Sequence, residues 1–589
     1  VFCSSINYKI LIFEPAVPDI HKGPCDRMVN DMMIKDSELK TGLPKTTESL
    51  CPECKKVIEA KIYEEKGKVV MKKKCDEHGT FKDTIWSDAE YYLWAETFAV
   101  DGIGISNPKI AKKNPDCPAD CGLCKIHKSH TVLANLDLTN RCNLTCPVCF
   151  ANANTSGFVY EPDFDTVVKM MEELRREQPV ACHAIQFAGG EPTIYPKFTE
   201  VIKKAHELGF SQVQVATNGI RFAEDAKFVQ RCHDAGLNTV YLQFDGFDDN
   251  QYKKVRGYPM VAIKKKAIEH MRATKGGHMS VCLVPTIVNN INDDQVGPII
   301  DFAVNNYDIV HAINFQPVAF SGRINKKELE RNRFTIPDLL DRIIDAYPIL
   351  TKKDFYPVPS MTSLSEIIGV LNEEPKITFS SHPHCGVGTF VFVGPKKELV
   401  PITHFVRVAD LLKDMGELAK KTEIKQKAGS LSYKIMKSAG KTRLGKRVAV
   451  NKLKSYIIKN KVPDFVDIEG LLAPLLSEGD KASLAKFTWN ALMIGGMHFQ
   501  DAYNYDVQRV MRCVIHYVTP DMRIIPFCAY NSGPTYRTEI ESTFSVPAEE
   551  WKRQHEGRPI VEPSVLLQKL KEKMREERVG KTCGAPLSP

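Results

Sequence analysis

Cys142, Cys146 and Cys149 fall in the run Cys142-Asn143-Leu144-Thr145-Cys146-Pro147-Val148-Cys149, a C-x3-C-x2-C spacing on one short stretch of chain. Three thiolates from one loop suit three corners of an iron-sulfur cubane, whose four irons normally each take a cysteine. The fourth iron then stays open. An open iron can chelate the amino and carboxylate groups of S-adenosylmethionine and pass in the electron that breaks its S–C bond. The bland alternative for such a loop is a zinc knuckle.

Three downstream runs carry side chains suited to that cofactor. In Gly189-Gly190-Glu191-Pro192 the glycines let a backbone approach a ligand, and Glu191 or neighbouring carbonyls can accept from an ammonium group. Thr217-Asn218-Gly219 and Gln243-Phe244-Asp245-Gly246 bring Thr217, Asn218, Gln243 and Asp245 as partners for ribose hydroxyls and a carboxylate. Each run reads equally as an ordinary turn.

Two other cysteine groups precede the first. Cys117, Cys121 and Cys124 repeat the C-x3-C-x2-C spacing and are expected to hold an auxiliary [4Fe-4S] cluster, with zinc as the alternative. Cys51 and Cys54, followed about twenty residues later by Cys75 and His78, have the spacing of a closed tetrahedral site, either a rubredoxin-like mononuclear iron or zinc. Nine of the eighteen cysteines thus sit in three tight groups, which favours metal sites over disulfides. Cys385, Cys513 and Cys528 lie far apart, and by spacing alone they read as core thiols.

Such residues need elements to hold them. From about 132 to 318, strand-like segments alternate with helix-like ones: Leu133 to Leu138, Ala184 to Ala188, Gln212 to Thr217, Val240 to Phe244, Ser280 to Val288 and Val310 to Val318. Between the first two, Val167, Met170, Met171 and Leu174 recur at helical spacing. The fold class expected is α/β, a partial (β/α)6 TIM-like barrel with its chemistry at the carboxyl ends of the strands. Small metal-binding domains precede it and an auxiliary iron-sulfur domain follows.

The expected boundaries are an N-terminal extension (1–43), a metal knuckle (44–100), an auxiliary cluster segment (101–131) and the barrel (132–345). A connecting region (346–410), a basic helical segment (411–465), an auxiliary cluster domain (466–545) and a helical tail (546–589) complete the chain.

With 43% hydrophobic and 26% charged residues, the chain reads as globular rather than disordered or fibrous. No run of about eighteen apolar residues suggests a membrane span. The stretch Ile10 to Phe13 is short and runs into Glu14 and Pro15, so no signal peptide is expected and the reading is cytoplasmic. Between Ala419 and Lys461, fourteen Lys or Arg face the single acid Glu423, a local charge of +13 in a chain of net +8. Ile424, Leu431 and Ile435, and then Leu453 and Ile457, suit basic amphipathic helices on anionic headgroups, which would place the protein peripherally at the inner membrane face. A polybasic stripe also attracts nucleic acid, but that partner is not expected.

The motif order resembles the radical S-adenosylmethionine superfamily. Over nearly the full chain, the two knuckles, the Pro115-Asp116-Cys117 to Cys124 loop and Asn140 to Ala151 look similar to the archaeal tetraether lipid synthase family. The resemblance implies that Cys142, Cys146 and Cys149 are the catalytic set. It makes Cys385, Cys513 and Cys528 ligands of a second auxiliary cluster, and it draws on a reductant such as ferredoxin or flavodoxin. Relatives place an aromatic residue just before the last cysteine to meet adenine; here that place is Val148, leaving Phe150 as the nearby candidate. The activity implied is C–C bond formation between the terminal methyl carbons of two archaeal ether-lipid tails through a 5'-deoxyadenosyl radical. Two rivals stand beside it: a radical methylase of a pterin precursor in methanopterin biosynthesis, and a non-catalytic electron-transfer protein.

Overall fold

In the computed structural model, residues 39–582 are described, apart from residue 278 and residues 323–331, 373–374, 428–453, 472–489 and 534–535. Four strands open the described chain: β1 (Lys45–Leu50), β2 (Val57–Glu65), β3 (Lys68–Cys75) and β4 (Gly79–Trp86). They form an antiparallel meander in sequence order. Cys51 and Cys54 lie in the turn after β1, Cys75 ends β3, and His78 lies in the turn that leads into β4. A helix, Ala89–Glu96, follows at once, its first turn capped by the Asp88 carboxylate, which accepts from Tyr91 N at 2.9 Å.

The six expected strands form the centre of the main sheet, all parallel and in sequence order: β5 (Leu133–Thr139), β6 (Ala184–Gly189), β7 (Gln212–Thr217), β8 (Thr239–Gln243), β9 (Ser280–Val284) and β10 (Val310–Pro317). Helices pack between them. In Phe164–Arg175 the buried set includes Val167, Met170, Met171 and Leu174, the stripe that the spacing predicts. One expected strand is divided. Pro285 has no N–H to give a ladder, so Ser280 to Val288 becomes β9 and a two-residue strand, Thr286–Ile287.

The C-terminal region departs from expectation. A separate auxiliary iron-sulfur domain at 466–545 is not evident; that stretch completes the sheet instead. β12 (Leu492–Met497) pairs parallel with β10, and β13 (Ile515–Val518) pairs parallel with β5. An open six-stranded sheet leaves a row of unpaired N–H and C=O groups at each side, and these two strands satisfy both rows. β11 (Gly386–Val393) and β14 (Ile524–Pro526) then add antiparallel strands outside them.

The 498–514 connection runs from one side of the sheet to the other, and a buried guanidinium fastens it. Arg333 donates from Nη1 to Asp501 at 2.7 Å and from Nη2 to Asp83 on β4, tying barrel, crossing segment and N-terminal meander together. The pairing with Arg333 holds the Asp501 carboxyl well below its ordinary range, against the effect of burial.

The tail forms the helix Val565–Thr582, and it docks rather than standing free: Ser564 Oγ donates to Glu224 at 2.6 Å and Leu567 is buried. Residues 428–453 of the basic segment, which include Leu431, Ile435 and Leu453, lie outside the described residues. Among the described residues, no helix is long and apolar enough to cross a membrane.

Candidate functional site

The N-terminal group has the geometry of a mononuclear metal site. Bonds of about 2.3 Å to sulfur and 2.0–2.1 Å to nitrogen, arranged tetrahedrally, put S···S near about 3.8 Å and S···N near about 3.6 Å. Here Cys54 and Cys75 are 3.9 Å apart at sulfur, and His78 Nδ1 lies 3.7 Å from Cys51 and 3.5 Å from Cys75. All four ligand atoms fall within 4.8 Å of one another. One Cys3His site is therefore preformed. Among the described residues, no other group of three or more Cys, His, Asp or Glu side chains brings its ligand atoms within that distance.

The second site begins where β5 ends. Asn154 holds the start of the cysteine loop from both sides: its Oδ1 accepts from Cys142 N at 2.9 Å, while its Nδ2 donates to the carbonyls of Cys142 and Leu144. Leu144 N points at Cys142 Sγ at 3.3 Å, a donor aimed where a thiolate needs one. Burial pushes the Cys142 and Cys146 thiols up, and Arg256 opposes that rise at Cys146. Two or three bare thiolates here would be costly, and a bound cationic cluster would relieve that cost, so the donor set fits an iron-sulfur group.

Glycine at 189 and 190 is dictated by this loop. A Cβ at Gly189, where φ is +124°, would lie 2.2 Å from Thr139 O, and one at Gly190 would lie 2.3 Å from Arg141 O. Gly190 N and Glu191 N bond to those same two carbonyls. Glu191 is 1% exposed, and its carboxylate is fully engaged within the protein. Oε1 accepts from the Thr193 and Thr217 hydroxyls at 2.6 and 2.7 Å, and Oε2 accepts from Asn218 N at 2.8 Å. Burial raises its pKa against those bonds. Its place is that of a brace between strand ends, not a free acceptor for an ammonium group.

One cavity of about 270 Å³ gathers these strand ends. Cys142, Cys146, Cys149, Phe150, Gly189, Gly190, Glu191, Thr217, Asn218 and Gln243 all line it. Asn218 Nδ2 donates to Asn143 Oδ1 at 2.7 Å and faces Cys142 Sγ at 3.9 Å. Two expected residues stand back from the cavity. Pro192 is buried in a short 3-10 turn, and Asp245 is held in a two-point pair with Arg256, at 2.6 and 3.1 Å.

Sequence reasoning missed Asn154, Arg256 and Lys264. Arg256 lines the cavity and donates to Val148 O at 3.0 Å. Lys264 is wholly buried, donates to Gln243 Oε1 at 2.7 Å, and has its pKa drawn down to about 7 by burial. Both sit on helices behind the strand ends, where a lone cation in a charged helix gives no signal. Asn135, Gln186 and Gln316, which also line the cavity, were missed as well, although the alternation of polar residues along their strands is a signal that could have found them.

The cysteines expected to hold the two auxiliary clusters also converge. Cys117, Cys121, Cys124 and Cys528 share one buried cluster, with Cys513 packed against it. Cys513 feels Cys528 and Cys385 as neighbouring charges, and Arg509 lies against Cys385 and Cys528. Gln500 N donates to Cys528 Sγ at 3.4 Å, and Gln500 and Phe527 reach the main cavity.

Comparison with known proteins follows the same division. Residues 43–87 match the HMPTM N-terminal zinc ribbon domain, and residues 136–303 match the radical SAM superfamily. The 7,8-dihydro-6-hydroxymethylpterin dimethyltransferase of Methanocaldococcus jannaschii is 48% identical over 517 residues, covering 87% of this chain and 98% of that protein. A GTP 3',8-cyclase of Klebsiella pneumoniae is 32% identical over 123 residues, covering 21% of this chain and 36% of that protein. The crystal structure of Streptococcus suis SuiB bound to precursor peptide SuiA covers 51% of this chain and 69% of that one, at 12% identity and TM-score 0.30.

The expected membership of the tetraether lipid synthases, and with it the lipid-coupling activity, is overturned by the relative that spans most of the chain and is named for a pterin. Cysteine spacing reports which clusters a chain can hold, and it says little about the molecule that reaches them. The chain belongs to the radical SAM superfamily and, within it, to the family of the Methanocaldococcus jannaschii 7,8-dihydro-6-hydroxymethylpterin dimethyltransferase.

Proposed function

We propose that this chain is a radical S-adenosylmethionine methylase whose substrate is a dihydropterin carrying a hydroxymethyl group. The relative's name supports the substrate class. The observation that carries the reading is the single compact cavity in which the three cysteines of the 142–149 loop meet the ends of β6, β7 and β8. Its wall sets the carboxamides of Asn135 and Gln186 beside the rings of Tyr517 and Phe527, a lining that suits a flat polar ring system better than two long alkyl tails.

Cys142, Cys146 and Cys149 would hold a [4Fe-4S] cluster. Gly189, Gly190, Asn218, Gln243 and Phe150 would border the S-adenosylmethionine bound at its open iron. When bound, that pair supplies a radical able to take hydrogen from a C–H bond that no side-chain base can ionise. The chain does the rest: Glu191 fixes the 217–219 turn, Lys264 fixes Gln243, and Arg256 brings positive charge beside the thiolates. Cys117, Cys121 and Cys124, and beyond them Cys385, Cys513 and Cys528, would hold auxiliary clusters that relay electrons from a ferredoxin- or flavodoxin-like reductant.

Each methyl group added replaces one hydrogen. The added carbon must come from a donor, so anaerobic, reconstituted protein given reductant, excess S-adenosylmethionine, a one-carbon carrier of the folate type and 7,8-dihydro-6-hydroxymethylpterin should yield a product heavier by one or two CH2 units. Cys142→Ala should abolish both that product and 5'-deoxyadenosine. Cofactor cleavage in the wild type with no change in pterin mass, across oxidised and reduced pterins, would refute the substrate assignment.

A further inference from the structure

A row of carboxamides crosses the barrel interior and ends in a donor that nothing in the fold uses. Asn135 on β5, Gln186 on β6 and Gln214 on β7 are neighbours in register. Gln214 Nε2 donates to Gln186 Oε1 at 2.7 Å, and Gln186 Nε2 donates to Asn135 Oδ1 at 2.7 Å. The amides thus point the same way, and each polarises the next. At the end of the row, Asn135 Nδ2 is buried, on a residue only 1% exposed, and has no hydrogen-bond partner. A buried donor without an acceptor is a destabilising exception that calls for an explanation.

The place of that donor suggests one. Asn135 and Gln186 line the same cavity as the cysteine loop. The next residue across the sheet from Asn135 is Tyr517 on β13. Tyr517 lines the cavity together with Phe527 and Phe499, whose rings stack at 4.1 Å, while the Tyr517 and Phe527 rings lie 5.4 Å apart. An unspent N–H beside an aromatic wall is what a flat heterocycle with an acceptor on its edge would use.

We infer that Asn135 is a specificity-determining residue: its Nδ2 donates to the ring carbonyl oxygen of the pterin, whose bicycle lies against Tyr517 and Phe527. Because Oδ1 is taken by Gln186, Asn135 offers a donor alone and selects for an acceptor. The carbonyl oxygen is the strongest acceptor on that ring edge. This inference rests on the pterin reading above.

Binding of 7,8-dihydro-6-hydroxymethylpterin to the reconstituted holoprotein, measured anaerobically by calorimetry with S-adenosylmethionine present, tests it. Asn135→Asp keeps the acceptor for Gln186 and removes the donor, and it should weaken pterin binding roughly ten- to hundredfold. Affinity for S-adenosylmethionine alone should not change. An analogue lacking the ring carbonyl should bind the wild type about as weakly as the variant binds the pterin, and it should lose nothing more in the variant.

Equal affinity of wild type and Asn135→Asp for the pterin would overturn the assignment and leave the donor to water. A loss confined to S-adenosylmethionine would overturn it as well. The carbonyl-free analogue needs only the wild type, so a variant that fails to fold leaves a decisive comparison. If the wild type binds no pterin at all, the proposed function itself is wrong.

Discussion

Arg141 immediately precedes the first cysteine of the 142–149 loop, and its side chain is wholly buried. Its guanidinium pairs with Glu562 at 2.5 Å and Glu161 at 3.4 Å, donates to Ile560 O at 3.2 Å, and lies 4.1 Å from the Trp551 ring. Glu562 N in turn donates to Cys142 O at 3.2 Å, so the 548–564 stretch is clasped to the loop by side chain and backbone. Removing one member of a buried ion pair costs about 3–5 kcal/mol. The two acids keep 11% and 19% of their side-chain exposure, which puts this pair near the lower figure. Loss of the cation above Trp551 adds about 1 kcal/mol.

Arg141→Met should therefore destabilise the docking of this stretch by about 3–4 kcal/mol. Native-state hydrogen exchange followed by mass spectrometry reads the change directly, as exchange in 548–564 more than about a hundredfold faster. With Arg141 gone, Glu562→Gln should do far less than it does in the wild type, a coupling of about 2 kcal/mol. Strictly additive effects, or unchanged protection in 548–564, would show that the clasp does not hold this part of the molecule.

The other outcomes concern separate parts of the molecule. Cys54→Ala should reduce bound metal by one ion per chain and speed exchange across β1 to β4, measured by elemental analysis and mass spectrometry. Glu191→Gln replaces one acceptor oxygen by a donor, so iron content should be retained while S-adenosylmethionine binding weakens at least roughly tenfold by calorimetry.

Glu177 is buried, accepts from Thr131 N at 2.6 Å, and has its pKa raised by burial to about 7. Below its unfolded pKa both states hold the proton and it contributes nothing. As pH climbs toward 7 only the unfolded state ionises, so stability falls by on the order of 3 kcal/mol and stays lower above that pH. Denaturation of Glu177→Gln should lack this decline between about pH 4.5 and 7. An identical pH dependence in both proteins would rule it out.

The parallel core was legible because each of its six strands is a local signal: a short apolar or alternating run that closes on a turn, with helical spacing between. Cys142 to Cys149 and Gly189 to Pro192 were legible for a similar reason, since loop chemistry is written in adjacent residues. β12 and β13 were not. Their partners, β10 and β5, lie far off in sequence, and nothing within Leu492–Met497 or Ile515–Val518 states which sheet they will join. Roles blurred for the same reason. Asp245 looks like a ligand group in a loop until Arg256, eleven residues on, takes both of its oxygens. Substrate identity was the least legible of all, because the carboxamides that line the cavity come from strands whose polar positions also suit ordinary barrel packing.

Pairing of β5 with β13 joins positions roughly 380 residues apart, so the strand that begins the barrel waits until residues 515–518 have been synthesised. Until then both margins of the nascent sheet are bare. Any nascent chain released before residue 492 would expose two sticky borders, making early termination a route to aggregates rather than to a smaller working enzyme.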